Sequence, residues 1–358
     1  MQRQSVLRAA SALASLGVAF AAPMLAAPEA TAAERSGSST SITLTPSRTV
    51  PTGARLRLEG RVSPQRPGRV VQLQRRVAGE WQGVARDRLN RRSKFAFRQS
   101  FPVAGASRFR VVPRRGPGVS PKRTYRAVAP GFDVSYPQCG GALPVGATFA
   151  VVGVDGGRPY DANPCLAEQI GWALQAGRPT YYVNTANPGP KMSSYWPLGQ
   201  RSPRTCSRTA PDSRGCAYDY GWNAAENSFA RAVAAATAAG APPVTDSTWW
   251  LDVETSNTWE SLEYGETAKY FANDTAVLEG MRAYLRSRGV GVVGVYSTLH
   301  QWGRITGGAT LGEAPVWYSG LGTATTAAER CSRAYSFTGG PVRLTQFARD
   351  GFDADHRC

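Results

Sequence analysis

Hydrophobic and polar positions follow two regimes along this 358-residue chain. From Ser41 to about Val128, short alternating runs dominate. In residues 54–62, Leu56 and Leu58 share one face and Arg55 and Arg57 the other; residues 41–47, 70–76, 95–101 and 107–113 form similar short runs. Pro-Gly at 67–68 and Ala-Gly at 78–79 punctuate them. Short period-two segments broken by turns predict an all-β sandwich. Beyond residue 131, near-continuous apolar runs alternate with helical patterns. Strands are expected over 132–136, 147–157, 179–189, 248–255, 291–298, 314–320 and 342–348. Helices are expected over 165–177, over 222–240, and from Asn273 or Asp274 to about Arg288. Apolar strands separated by helices predict a parallel sheet wrapped by helices. Seven clear strands stand one short of an eight-stranded closure. The expected fold class is therefore α/β, a TIM-type (β/α) barrel open to irregularity, behind an N-terminal β-sandwich. The short join at 128–131 predicts a defined arrangement rather than a long tether.

The first 33 residues read differently. Arg3 and Arg8 precede an apolar run from Ala9 to Ala27, and Ala30-Thr31-Ala32 supplies small residues for cleavage. This is the pattern of a secretory signal peptide over 1–33, with a retained anchor as the alternative. The sandwich would then occupy 34–128 and the barrel 129–358. Six cysteines, all beyond residue 138, suit an exported chain with three disulfides. Fifteen pairings are open, and Cys206 with Cys216 closes the shortest local loop. There is no CxxC motif and only two histidines, so neither a metal nor another cofactor is expected.

Charge is segregated. Residues 34–130 carry 22 Lys+Arg against 4 Asp+Glu, whereas residues 131–358 carry 18 against 20. The basic surface belongs to the first region. Arg75, Arg76, Arg91, Arg92, Lys94, Arg114 and Arg115 are candidates for contact with anionic envelope polymers. No zinc-finger, RNA-binding or recognition-helix pattern favours nucleic acid.

Candidate chemistry gathers at the C-terminal ends of the predicted strands, where a barrel keeps its active site. These positions include Asp133 with Ser135, Asp155, Asn184, Asp252 with Glu254, Tyr296, Tyr318 and Gln346. An open doubly wound sheet would place chemistry at the same ends, but no GxGxxG, GKS or GKT motif is present. In residues 248–255, alternation points Trp250, Asp252 and Glu254 one way and Leu251 and Val253 the other. Two neighbouring buried acids drive their pKa values apart, as an acid-catalysed hydrolase requires. No GxSxG motif supports an esterase or peptidase.

Residues 60–85 resemble the small immunoglobulin-like modules of bacterial surface and secreted proteins. GFDVSYPQC at 131–139, WLDVET at 250–255, VGVYST at 293–298, PVWYSG at 315–320 and LTQFARDGFDAD at 344–355 occur in this order. Together they resemble the family 25 glycoside hydrolases, barrel lysozymes that cut peptidoglycan. They resemble more closely the actinobacterial glycoside-hydrolase-like domains of uncharacterised function. The resemblance implies Glu254 as general acid and Asp252 as an ionised partner that positions or stabilises the substrate. It also aligns Asp133 with the first-strand aspartate, and Asp353 and Asp355 with the acid of the last strand. Tyr182, Asn184, Trp250, Tyr296, Trp317 and Gln346 are expected to line the cleft. The chain departs from the family in a long insertion, 185–221, around Cys206 and Cys216. The expectation is a secreted or wall-associated monomer that hydrolyses peptidoglycan or a related amino-sugar polymer. The alternative is a weak or inactive barrel that binds glycans or scaffolds the envelope.

Overall fold

The computed structural model describes residues 40–46 and 48–358. The expected signal peptide lies outside the described residues. Within Thr40–Cys358, which form one compact unit, an N-terminal pair of sheets packs against a closed barrel.

The first sheet joins β1 (Ser41–Ile42), β3 (Arg55–Ser63) and β6 (Lys94–Ser100). The second joins β2 (Arg48–Pro51), β8 (Arg123–Val128), β7 (Gly105–Pro113), β4 (Val70–Val77) and β5 (Glu80–Arg88). Alternation drives their packing. Leu56, Leu58, Phe95 and Phe97 from one sheet and Val71, Leu73, Phe109 and Val111 from the other are buried in a common core. The intervening arginines Arg55 and Arg57 remain exposed.

The same core continues into the barrel. Phe132, Phe347, Ala354 and the helix residues Ala324, Ala327 and Ala328 belong to it. Arg55 N donates to Thr325 Oγ1 at 2.8 Å, and Arg349 Nη1 donates to Thr52 Oγ1 at 2.8 Å. The two-sheet module is therefore a wall of the barrel's environment as well as a neighbour in sequence.

The barrel runs through β9 (Gly131–Val134), β10 (Ala150–Gly153), β11 (Thr180–Asn184), β12 (Thr248–Asp252), β13 (Val292–Ser297), β14 (Val316–Leu321), β15 (Val342–Arg349) and β16 (Phe352–Arg357). Strands β9 to β15 are parallel neighbours in order. β16 is antiparallel to both β15 and β9 and closes the ring. This corrects the expected TIM-type (β/α) barrel: the closure is a mixed eight-stranded barrel. Helical alternation is also incomplete. The β9–β10 connection contains one 3-10 turn and no α-helix, and β15–β16 is a hairpin.

The cause of the hairpin is local. Arg349 pairs with Phe352 across a two-residue loop, and both loop residues have positive φ, 53° at Asp350 and 82° at Gly351. An Asp-Gly pair in this conformation matches the right-handed twist of antiparallel strands.

Helices α1 (Leu166–Leu174), α2 (Gly189–Met192), α3 (Arg214–Ala238), α4 (Glu260–Tyr264), α5 (Ala268–Ser287), α6 (Leu299–Thr306) and α7 (Ala324–Arg330) fill the other connections. α3 begins eight residues before the expected Trp222, after Ser213, whose hydroxyl accepts from Cys216 N at 3.4 Å. α5 starts just after Thr267, whose side chain makes no capping bond, rather than at Asn273 or Asp274. Those two residues lie inside the helix and are buried. Asn273 Nδ2 donates to Glu260 Oε2 at 2.9 Å, and Asp274 Oδ1 accepts from Asn187 Nδ2 at 2.7 Å. A capping residue and a buried network residue look alike in one dimension.

Disulfides join Cys139 to Cys165, Cys206 to Cys216 and Cys331 to Cys358. Among the described residues, no helix is long and apolar enough to cross a membrane.

Candidate active site

Alternation along β12 builds the floor of the site. Trp249 and Leu251 face the helices, with Trp249 against Tyr181 and Phe229 at ring separations of 5.2 and 5.7 Å. Trp250 faces the barrel interior beside Phe149, Val151, Trp317 and Leu344. Asp252, two residues on, shares that inner face one layer higher, and Glu254 follows beyond the strand end. The chain there is pinned by Trp259 Nε1 and Asn257 N, which donate to Glu254 O at 2.8 and 3.1 Å.

A cavity of about 170 Å³ opens above this layer, at the C-terminal ends of the parallel strands. Eight of the expected residues line it: Asp133, Asp252, Glu254, Asp353, Tyr182, Tyr296, Trp317 and Gln346. Its close fit depends on Gly153, where a methyl group would lie 2.5 Å from both Ser135 Cβ and the Tyr182 ring. Three expected residues do not line the cavity. Trp250 lies in the aromatic layer beneath. Asn184 holds Asp252 from behind, its Nδ2 donating to Oδ2 at 2.7 Å. Asp355 is fully buried and accepts from Trp317 Nε1 at 2.8 Å.

The antiparallel strand decides the acid constellation. Its register sets Asp353 opposite Asp133 and Asp355 opposite Gln346. Side chains directly opposite across an antiparallel pair share a face. Tyr296 Oη donates to Gln346 Oε1 at 2.8 Å, and Gln346 Nε2 donates to Asp133 Oδ2 at 3.0 Å. Asp133 stands close enough to Asp355 that its charge, after burial, helps to hold the Asp355 carboxyl well above the usual carboxylate range. Tyr296, Gln346, Asp133, Asp355 and Trp317 thus form one network. Tyr296 and Trp317 complete it with an edge contact at 4.5 Å.

Burial raises every acid here. Asp133 is pushed to about 7 by burial and by the neighbouring Asp353. Asp252 and Asp355 are driven well above the usual carboxylate range, first by burial and then by their acidic neighbours. Glu254 is raised by burial against a hydrogen bond from Gln301 that favours its charge, and Asp353 is raised by burial. Asp252 was expected to stay ionised; its surroundings favour the neutral acid instead. It has one donor, Asn184, on Oδ2, and among the described residues Oδ1 has no partner. One hydrogen bond does not offset the loss of hydration for a carboxylate.

The cavity also recruits Ser135, Pro137 and Gln138, from the turn after β9. Gln138 Oε1 accepts from Ser135 N at 2.9 Å, which shapes that turn. Ser135 was visible as a polar strand end. Gln138 had no periodic signal, and neither did Gln301, which reaches Glu254 from the first turn of α6.

The basic region presents two cation-lined hollows. One, of about 550 Å³, is lined by Arg69, Val70, Arg114, Arg115 and Gly116. The other, of about 480 Å³, brings Lys94 beside Arg57, Arg61 and Arg88, with Glu59 and Asp87 among them. Arg76 and Arg110 instead stack on Trp81, at 5.8 and 4.4 Å from the ring centre.

No family model matches the sequence, and no curated protein matches it.

Proposed function

We propose that the chain is a glycoside hydrolase acting outside the cytoplasm on cell-wall peptidoglycan or a related amino-sugar polymer. The observation that carries this reading is the cavity in which Asp252 and Glu254 stand together among Tyr182, Tyr296 and Trp317. Paired acids beside aromatic walls suit a sugar ring and the cleavage of its glycosidic bond. Glu254 is the acid: half-buried, with a raised pKa, it retains a proton and gives it to the glycosidic oxygen as the C–O bond breaks. Water then adds to the anomeric carbon and its proton returns to Glu254. Asp252 orients the substrate. A neutral carboxyl positions an N-acetyl group by hydrogen bonding, a role that suits its raised pKa better than ionic stabilisation does.

The test is release of soluble fragments from purified peptidoglycan by wild type and Glu254→Gln. The substitution keeps the shape and removes the proton, so release falls by at least about a hundredfold. Release by neither protein, with both folded, favours a glycan-binding barrel. Equal release by both overturns Glu254 as the acid.

We also propose that the hollow beside Arg69, Arg114 and Arg115 holds anionic envelope polymer and keeps the barrel near its substrate. The charge segregation and the absence of acids among the residues lining that hollow support this reading.

A further inference from the structure

The acid cavity is smaller than the roughly 300 Å³ at which ordinary ligand pockets begin. A polymer bound there must extend beyond it. A second cavity, of about 350 Å³, lies at the same end of the barrel, among the loops that follow β10, β11 and β12. Tyr160, Ser193, Tyr195, Asn257 and Thr258 are among its lining residues.

Two short segments connect the cavities. Residues 256–258 continue directly from Glu254, and Asn257 Nδ2 donates to Asp252 O at 3.4 Å. On another side, a methyl group on Gly157 of the second cavity would lie 2.8 Å from the Tyr136 ring. Tyr136 sits between Ser135 and Pro137, both of which line the first cavity.

The second cavity is built around a pile of aromatic rings. Trp196 stacks on Tyr220 at 5.3 Å, Tyr220 meets Tyr160 edge-on at 5.8 Å, and Tyr160 stacks flat on Tyr195 at 4.0 Å and 4°. The outermost ring, Tyr195, is 56% exposed. Tyr160 has φ of +70°, a conformation a tyrosine adopts only under constraint. The constraint is visible: the Arg231 guanidinium donates to the carbonyls of Tyr160 and Asp161 and stands 3.8 Å from buried Asp155. Tyr195, Trp196 and Tyr220 all come from the 185–221 insertion, which the Cys206–Cys216 disulfide staples. A rigid exposed tyrosine flanked by Ser193, Asn257 and Thr258 offers a flat apolar face with hydroxyl and amide partners beside it. A pyranose ring needs that combination.

We propose that the insertion builds a remote glycan subsite, with Tyr195 as its platform, that binds a further sugar of the polymer whose bond lies in the acid cavity. The inference rests on the glycosidase reading of that cavity. It makes the protein a chain binder that holds several residues at once.

The experiment uses soluble glycan strands, peptidoglycan stripped of its peptides, titrated calorimetrically against Glu254→Gln and Glu254→Gln/Tyr195→Ala. Tyr195→Ala is expected to weaken strand binding at least tenfold while leaving the melting temperature unchanged, and Tyr195→Trp is expected to restore binding. Equal binding by the two proteins overturns the subsite. Absence of strand binding by Glu254→Gln also overturns it. Peptidoglycan release by wild type against Glu254→Gln separately decides the glycosidase reading. Release that depends on Glu254, together with strand binding indifferent to Tyr195, removes the subsite and leaves the hydrolase standing.

Discussion

Replacing Asp155 with asparagine tests the electrostatics on which the site is built. Asp155 is 1% exposed, and burial raises its pKa from 3.8 to about 7. Its Oδ1 accepts from Ser228 Oγ at 2.9 Å, and its Oδ2 accepts from Asn184 N at 3.1 Å. Through Asn184 it supports Asp252. The other charges near it are Arg231 at 3.8 Å, Asp161 and Asp252. Because the folded pKa is above the unfolded one, the native state holds a proton that the unfolded chain has released. The stabilisation is full below pH 3.8 and is lost as pH rises through about 7. Between pH 5 and pH 8, this one group removes about 3 kcal/mol of stability. Asparagine keeps the shape and can satisfy both neighbours, because the Ser228 hydroxyl can turn from donor to acceptor. It does not titrate, so the variant lacks this loss. The assay is urea unfolding of both proteins at pH 5 and pH 8. Comparing them at each pH cancels opposing groups such as His356, which burial lowers to about 4 and which loses stability as pH falls. Wild type should lose about 3 kcal/mol more than the variant over that range. Parallel pH profiles would refute the reasoning and show that Arg231 keeps Asp155 ionised.

Three further outcomes follow from the same structure. Trp317→Phe keeps an aromatic ring but removes the donor to buried Asp355 Oδ1, and should cost about 1–3 kcal/mol in a urea melt; a loss below measurement would mean that the bond is replaced. Hydrolysis should fall on the alkaline side as Glu254 loses its proton, with that limb above the usual glutamate range because burial raises the group; a pH–rate profile with its alkaline limb at an ordinary glutamate pKa would contradict this. Retention on an anionic polymer should collapse between about 0.1 and 1 M salt, as the screening length shrinks from about 10 to 3 Å. Salt-independent retention of the full chain would remove the electrostatic account of the basic hollow.

Much of the site was legible in one dimension because strands impose a strict two-residue period. That period put Trp250, Asp252 and Glu254 on one face; Trp250 and Asp252 lie within the strand, and Glu254 reaches the same cavity as Asp252 from beyond the strand's end. The apolar runs likewise located the parallel strands to within a few residues. The last strand escaped because Phe352–Arg357 carries aspartates, a histidine and an arginine in place of an apolar run. Its one local signal, Asp350-Gly351, is a hairpin turn that argues against a parallel closure.

What the sequence determined by itself was the local order: alternating faces, strand ends rich in acids, a basic first region and an even set of cysteines. Tertiary structure decided which distant pieces meet. Antiparallel closure by β16 brought Asp353 and Asp355 to Asp133, and packing turned Asn273 and Asp274 from expected caps into buried network residues. It also raised the Asp252 carboxyl well above the usual carboxylate range, because desolvation depends on what covers a carboxyl in three dimensions, with the nearby Glu254 adding to it.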